Sequence, residues 1–186
     1  MEHQFERINR LPPYVFSEVN EMKARARAAG LDIIDFGMGN PDSPSPTHVV
    51  EKLVEAVQDP RTHRYSTSRG IRGLRRALAE YYQRRFDVVL DPDEEVIVTL
   101  GSKEGLANLA SAISAPGDVI LVPNPSYPIH PYGFIIAGAD VRHVPAGPGF
   151  DLMAEIHRAV KDSVPSPRAL VLNFPNNPTG EVVDLA

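Results

Sequence analysis

Three places in the chain put polar or aromatic side chains where a small anionic or flat ligand would need them. In "VTLGSKEGLANL" (98–109) an apolar run stops at Gly101 and a helical pattern begins at Ser102. The first amides of a helix have no partner within it and the helix dipole stands behind them, so Ser102, Lys103 and Glu104 can form a cup for phosphate. The pattern is not a Walker A loop, because Lys103 lacks the flanking glycines, and it suits a plain capped helix equally well. In "VPNPSYPIHPYG" (122–133) Tyr127 stands between Ser126 and Pro128. A tyrosine confined in this way offers a rigid ring to stack on a flat ligand, or packs within its own loop. In "NFPNNPTG" (173–180) Asn177 carries both a donor and an acceptor, and Pro178 and Gly180 fix the turn that aims it.

Each of these loops follows a predicted strand. From residue 95 onward "EVIVTL", "DVILV", "ADVRHV" and "RALVLNF" read as strands, with helices over "SKEGLANLASAIS" and "DLMAEIHRAVK". Short apolar strands alternating with helices indicate a parallel sheet covered on both faces. The three loops then share the carboxyl edge of that sheet, where open α/β sheets bind ligands. Upstream, "LPPYVF" (11–16) reads as extended, and a helix capped by Ser17 runs to Ala29, ended by Gly30. "DIIDF" (32–36) reads as a short strand before the Gly- and Pro-rich loop "GMGNPDSPSP". Thr47 caps a helix with Val49, Val50, Leu53, Val54 and Val57 on one face. A further helix carries Leu74, Leu78, Tyr81 and Tyr82 on one side. Its arginines, Arg72, Arg75, Arg76, Arg84 and Arg85, lie mostly on the other and read as a solvated face. The domain boundary is expected near Pro46, separating residues 1–46 from 47–186.

Composition narrows the classes of function. The 186 residues are 42% hydrophobic and 23% charged, ordinary values for a globular protein. A net charge of −5 leaves no surplus cation to neutralise nucleic-acid phosphates. With no cysteine, disulfides and thiolate metal sites are excluded, and the six histidines never fall at metal-binding spacing. His130 and His143 read as ordinary loop and strand residues. No apolar run approaches the roughly 20 residues that span a bilayer, and "MEHQFERINR" has no apolar signal-peptide core, so the expected location is cytoplasmic. "GMG" (37–39) lacks the third glycine and the following helix of a dinucleotide fingerprint.

Taken together, "RLPPYVF", "IIDFGMGNPD", "HRYSTSRGIRGLRRALAEYY", "IVTLGSKEGLANL", "ILVPNPSYPIHPYG" and "NFPNNPTG" resemble the class I/II pyridoxal-phosphate aminotransferases of fold type I. The pieces run in family order across nearly the whole chain, and "MGNPD", "YSTSRGI" and "GSKEGL" look closest to alanine-forming transaminases. The resemblance implies an α/β fold, an incomplete three-layer α/β/α large domain with a mostly parallel sheet. An N-terminal arm and small-domain segment (1–46) would precede the first half of the cofactor domain (47–186). It also implies pyridoxal 5′-phosphate as cofactor. Ser102 and Lys103 would hold its phosphate, Tyr127 would stack on its pyridine ring, and Asn177 would bond the phenolic oxygen. Tyr65 would reach the phosphate of the neighbouring subunit's cofactor, Gly39 would let the backbone approach the substrate carboxylate, and the arm would lie on the partner of a homodimer. Substrates would be an amino acid and a 2-oxo acid, with alanine and 2-oxoglutarate as the expected pair.

In that family the Schiff-base lysine, the acid on the pyridine nitrogen and the carboxylate-binding arginine all follow the Asn-Pro-Thr-Gly turn. Only Lys23, Lys52, Lys103 and Lys161 occur here, none at the expected place, so no catalytic residue is assigned. Asp184 reads as the first turn of a following helix rather than the acid. The chain is therefore expected to be an N-terminal portion that is inactive alone, with "VIVTL" lacking its neighbouring strands. A lyase or decarboxylase of the same fold, or an inactive phosphate- or partner-binding module, are the rival readings.

Overall fold

The computed structural model describes residues 5–37, 39 and 41–184. Residues 1–4, two positions of "GMGN" and the last two residues lie outside the described residues. In chain order the elements are helices α1 (Glu6–Asn9), α2 (Val15–Ala28) and α3 (Thr47–Gln58), a 3₁₀ turn (Pro60–Thr62), and helices α4 (Arg72–Phe86) and α5 (Ser102–Ile113). Strand β1 (Val119–Asn124), helix α6 (Ile129–Ala137), strand β2 (Asp140–Pro145), helix α7 (Leu152–Asp162) and strand β3 (Ala169–Leu170) complete it. Contacts divide the chain into two units, one of residues 13–98 and one joining the N-terminal segment through Pro12 to everything from Thr99 onward.

The second of these units holds the core. Its sheet has the order β2-β1-β3, all parallel, with Val119 opposite Asp140 and Ile120 opposite both Val141 and Ala169. Side chains of a strand alternate between faces, and β1 is apolar on both. Ile120 and Val122 pack with Ala110, Phe134 and Ala139, from α5, α6 and the turn after α6. Val119 and Leu121 pack with Val144 and Ile156, the latter from α7. The sheet is therefore sandwiched between α5 and α6 on one face and α7 on the other. Asp151 caps α7, its Oδ1 accepting from the Ala154 amide at 3.0 Å.

Three expected strands change. Residues 95–100 form none: Ile97 and Leu100 are 64% and 91% exposed, and Val98 makes a single backbone bond, donating to Arg69 O at 3.1 Å. An apolar segment without a partner strand stays extended but builds no ladder. "DIIDF" is likewise unpaired; Asp35 instead accepts from the Gly37 amide at 2.9 Å and pairs with Lys23 at 3.0 Å. Those two contacts, the amide foremost, hold the Asp35 carboxyl below its usual range. The strand over "RALVLNF" shrinks to Ala169–Leu170, although Arg168 and Val171 amides still bond the Val119 and Leu121 carbonyls at 2.8 and 3.0 Å.

Helix starts also shift. α2 begins at Val15, so Ser17 lies inside it and its amide bonds Tyr14 O at 2.9 Å. Thr47 is the first helical residue of α3, with Pro46 in the capping position. The stretch 129–137, read as loop at its start, is helix α6. Pro131 sits in its first turn, where a missing N–H costs no internal hydrogen bond.

In the unit of residues 13–98 the described interior is thin, and only Arg75 and Ala79 are buried. Arg75 departs from the solvated face expected of α4. Its guanidinium donates to Gly70 O at 3.3 Å, to Pro92 O, and to Asp93 Oδ1 at 2.8 Å. The Arg75 hydrogen bond is the main reason the Asp93 carboxyl sits below its usual range. Gly70 is required beside it. Its φ is +85°, and an added Cβ would lie 2.4 Å from Val98 Cβ. Arg75→Ala, which removes the donor to Pro92 O and takes one partner each from Gly70 O and Asp93, still held by Thr67 and Arg72, is expected to lower the thermal midpoint by about 5 °C. Arg76→Ala, at a side chain 63% exposed, should move it by about 1 °C at most. Parallel melting curves of the two variants check the contrast.

Candidate functional site

The carboxyl ends of β1 and β3 and the start of α5 face one cleft. Gly101 takes φ +86° and turns the chain into α5 with no side chain of its own to cap the first amides. Glu104 folds back so that its carboxylate accepts from the Leu100 amide, and Thr99 Oγ1 donates to Gly101 O at 3.0 Å. The turn ahead of Ser102 is thus held by side chains on both sides of it. From β1 the chain runs through 123–128 into α6, and the His130 amide donates to Tyr127 O at 3.0 Å to close that turn. After β3, the Gly180 amide donates to Asn176 O at 2.7 Å, closing the turn that carries Asn177.

Ser102, Tyr127 and Asn177 all line this cleft, together with Leu106, His130 and Asn173. Its cavity volume is about 470 Å³, within the range of small-molecule sites. Lys103 belongs to the same corner, with its ammonium nitrogen 5.2 Å from the centroid of the Tyr127 ring. Tyr65 and Gly39 lie in the unit of residues 13–98. Tyr65 is fully exposed, and among the described residues none places an atom within 4 Å of where a Gly39 Cβ would stand.

Two lining residues carry no site role in the sequence reading, where His130 reads as an ordinary loop residue. His130 lies in the first turn of α6 rather than in a loop, and its ring meets Tyr127 edge-on with centroids 6.2 Å apart. Burial pushes its imidazole below the usual range, which favours the neutral ring. The signal available was its position three residues beyond Tyr127, a spacing that one tight turn brings together. Asn173 precedes the turn and donates through Nδ2 to Pro175 O at 3.0 Å. The cleft offers hydroxyl and amide donors and an ammonium at one end, an aromatic face between, and a side-chain amide on the opposite wall. That set suits a flat, phosphorylated ligand. No helix among the described residues is long and apolar enough to cross a membrane, and no group of metal-binding side chains occurs among them.

The family model for aminotransferase class I and II matches residues 31–186. A putative aminotransferase, AatC, of Rhizobium meliloti is 59% identical over 182 residues, which cover 98% of this chain and 45% of the relative. The glutamate-pyruvate aminotransferase AlaC of Escherichia coli is 57% identical, over 99% of this chain and 45% of its own length. An aspartate aminotransferase structure from Thermus thermophilus superposes with a TM-score of 0.86 at 34% identity, over 98% of this chain and 47% of that one. The chain thus spans a little under half the length of these relatives, and within that span it carries the α/β framework of fold type I. By its sequence model and by its fold, the chain belongs to the class I and II aminotransferases.

Proposed function

We propose that this chain is the N-terminal portion of a pyridoxal-phosphate-dependent aminotransferase that moves an amino group between an amino acid and a 2-oxo acid. Alanine and 2-oxoglutarate are the proposed pair, in keeping with the 57% identity to a glutamate-pyruvate aminotransferase. The observation that carries the reading is the convergence of Ser102, Tyr127 and Asn177 on one cleft. Pyridoxal 5′-phosphate, when bound, supplies the electron sink that stabilises charge at the amino acid's α-carbon. The Ser102 hydroxyl and the first amides of α5 would hold the phosphate, with Lys103 countering its charge. Tyr127 would fix the plane of the pyridine ring, and the Asn177 amide would donate to the phenolic oxygen.

The remaining assignments are also proposals. Tyr65, fully exposed, would serve a second subunit's phosphate in a homodimer, and Gly39 would admit the substrate carboxylate. Residues 1–46 would supply an arm and part of a small domain, and 47–186 the first half of the cofactor domain. The protein would work in the cytoplasm.

The test uses the full-length protein and residues 1–186 side by side, each with added pyridoxal 5′-phosphate. The full-length protein is expected to show a visible absorption band, a single lysine adduct after borohydride reduction, and alanine-dependent consumption of 2-oxoglutarate. Residues 1–186 should give no specific adduct. A specific adduct on Lys23, Lys52, Lys103 or Lys161 would show that the working lysine lies within this chain. Absence of any band in the full-length protein would end the cofactor assignment.

A further inference from the structure

The two loops that form the walls of the cleft are joined by one side chain outside the set assigned above. Asn176 is half-buried, and both hydrogens of its amide are in use. Nδ2 donates to Thr179 Oγ1 at 2.9 Å, within its own turn. It also donates to Pro125 O at 3.3 Å, across 51 residues of sequence. Thr179 Oγ1 in turn accepts from the Glu181 backbone N–H at 3.3 Å, and the Asn176 backbone N–H donates to Glu181 O at 2.8 Å. Pro125 stands two residues before Tyr127, and Asn176 stands immediately before Asn177. A displacement of either loop along the cleft therefore has to break the bond between Asn176 and Pro125.

We infer that Asn176 is a positioning residue that sets the register of the Asn177 turn against the Tyr127 loop. This rests on the cofactor reading of the cleft for its functional meaning, but not for its structural content. The amide is suited to the task. A carboxamide has two donors diverging from one nitrogen, and here each finds an acceptor on a different loop segment. Aspartate has the same shape and no donor, so it would set a negative charge against the Pro125 carbonyl. Thr179→Val is the complementary change, because it removes the acceptor within the turn and leaves the bond between loops in place.

The test compares Asn176→Ala, Asn176→Asp and Thr179→Val in the full-length protein, without and with pyridoxal 5′-phosphate. In the cofactor-free protein, amide hydrogen exchange is followed in residues 125–130 and 176–181. Both Asn176 variants are expected to speed exchange in both segments together by about five- to tenfold. Thr179→Val should do so only in 176–181. With cofactor, the Asn176 variants should bind about tenfold more weakly and lose visible-region circular dichroism, while their thermal midpoints stay near the parent's. Thr179→Val should keep most of that dichroism. Unchanged exchange over 125–130 in both Asn176 variants would overturn the inference, and so would equal behaviour of Thr179→Val and Asn176→Asp. If exchange couples the two loops but even the unsubstituted protein binds no cofactor, the clasp stands and the cofactor reading falls.

Discussion

Replacing Phe134 with alanine is expected to cost about 3–5 kcal/mol of stability, the largest effect of any single change in the α/β unit. The ring is 2% exposed and packs with Ala110, Ile120, Val122 and Ala139, whose short or β-branched side chains cannot reach across the gap it would leave. Phe134→Leu keeps most of the volume and should cost less than about 1.5 kcal/mol. Denaturant midpoints of the two variants, measured on the full-length protein, check the grading. Equal losses would mean that the ring is not packed as described. The effect should reach the cleft as well. α6 carries Phe134 towards one end and His130 at the other, and it packs along α5, whose first residue is Ser102. A cavity between the two helices frees the Ser102 end of the cleft to move relative to Tyr127.

The second large effect concerns Asn177. Under the proposed function its side chain donates to an oxygen that carries negative charge, and hydrogen bonds to charged groups contribute about 1.5–3 kcal/mol. Asn177→Ala should therefore lower kcat/KM by about ten- to a hundredfold. Asn177→Asp should do at least as much harm, because it sets one negative charge against another. Steady-state rates with alanine and 2-oxoglutarate, read together with the visible spectrum of the bound cofactor, provide the check. A rate equal to the parent's would remove the assignment.

What was legible in the sequence follows a physical division. α5, β1, β2 and α7 fall within one or two residues of where periodicity placed them, because each is fixed by local pattern: an apolar run, a glycine stop, an aspartate cap. The loops after β1 and β3 fall at the carboxyl edge for the same reason, since alternation of strand and helix dictates parallel strands. The segments 32–36 and 95–100 have the apolar character of strands, but ladders are made between segments, and no single stretch of sequence states whether a partner is present. α6 was hidden by Pro131 and Gly133, which read as loop residues although a first helical turn tolerates the proline. Arg75 was hidden for a different reason. Its burial depends on carbonyls at Gly70 and Pro92 and on a carboxylate at Asp93, which only tertiary structure brings to it.

The sheet order β2-β1-β3 also has a meaning in time. The central strand is the first of the three to be synthesised, and its neighbours are laid against it from either side as they follow. The nascent chain can therefore extend an existing edge at each step rather than wait to insert a strand between two others. The walls of the cleft are completed in the same sequence, Ser102 first, then Tyr127, and Asn177 last. The first and last of these are 75 residues apart. At translation rates of about 5–20 residues per second, that interval is about 4–15 s. For that long the emerging protein carries the start of α5 without the wall opposite, so the cleft is completed well after its core has begun to form.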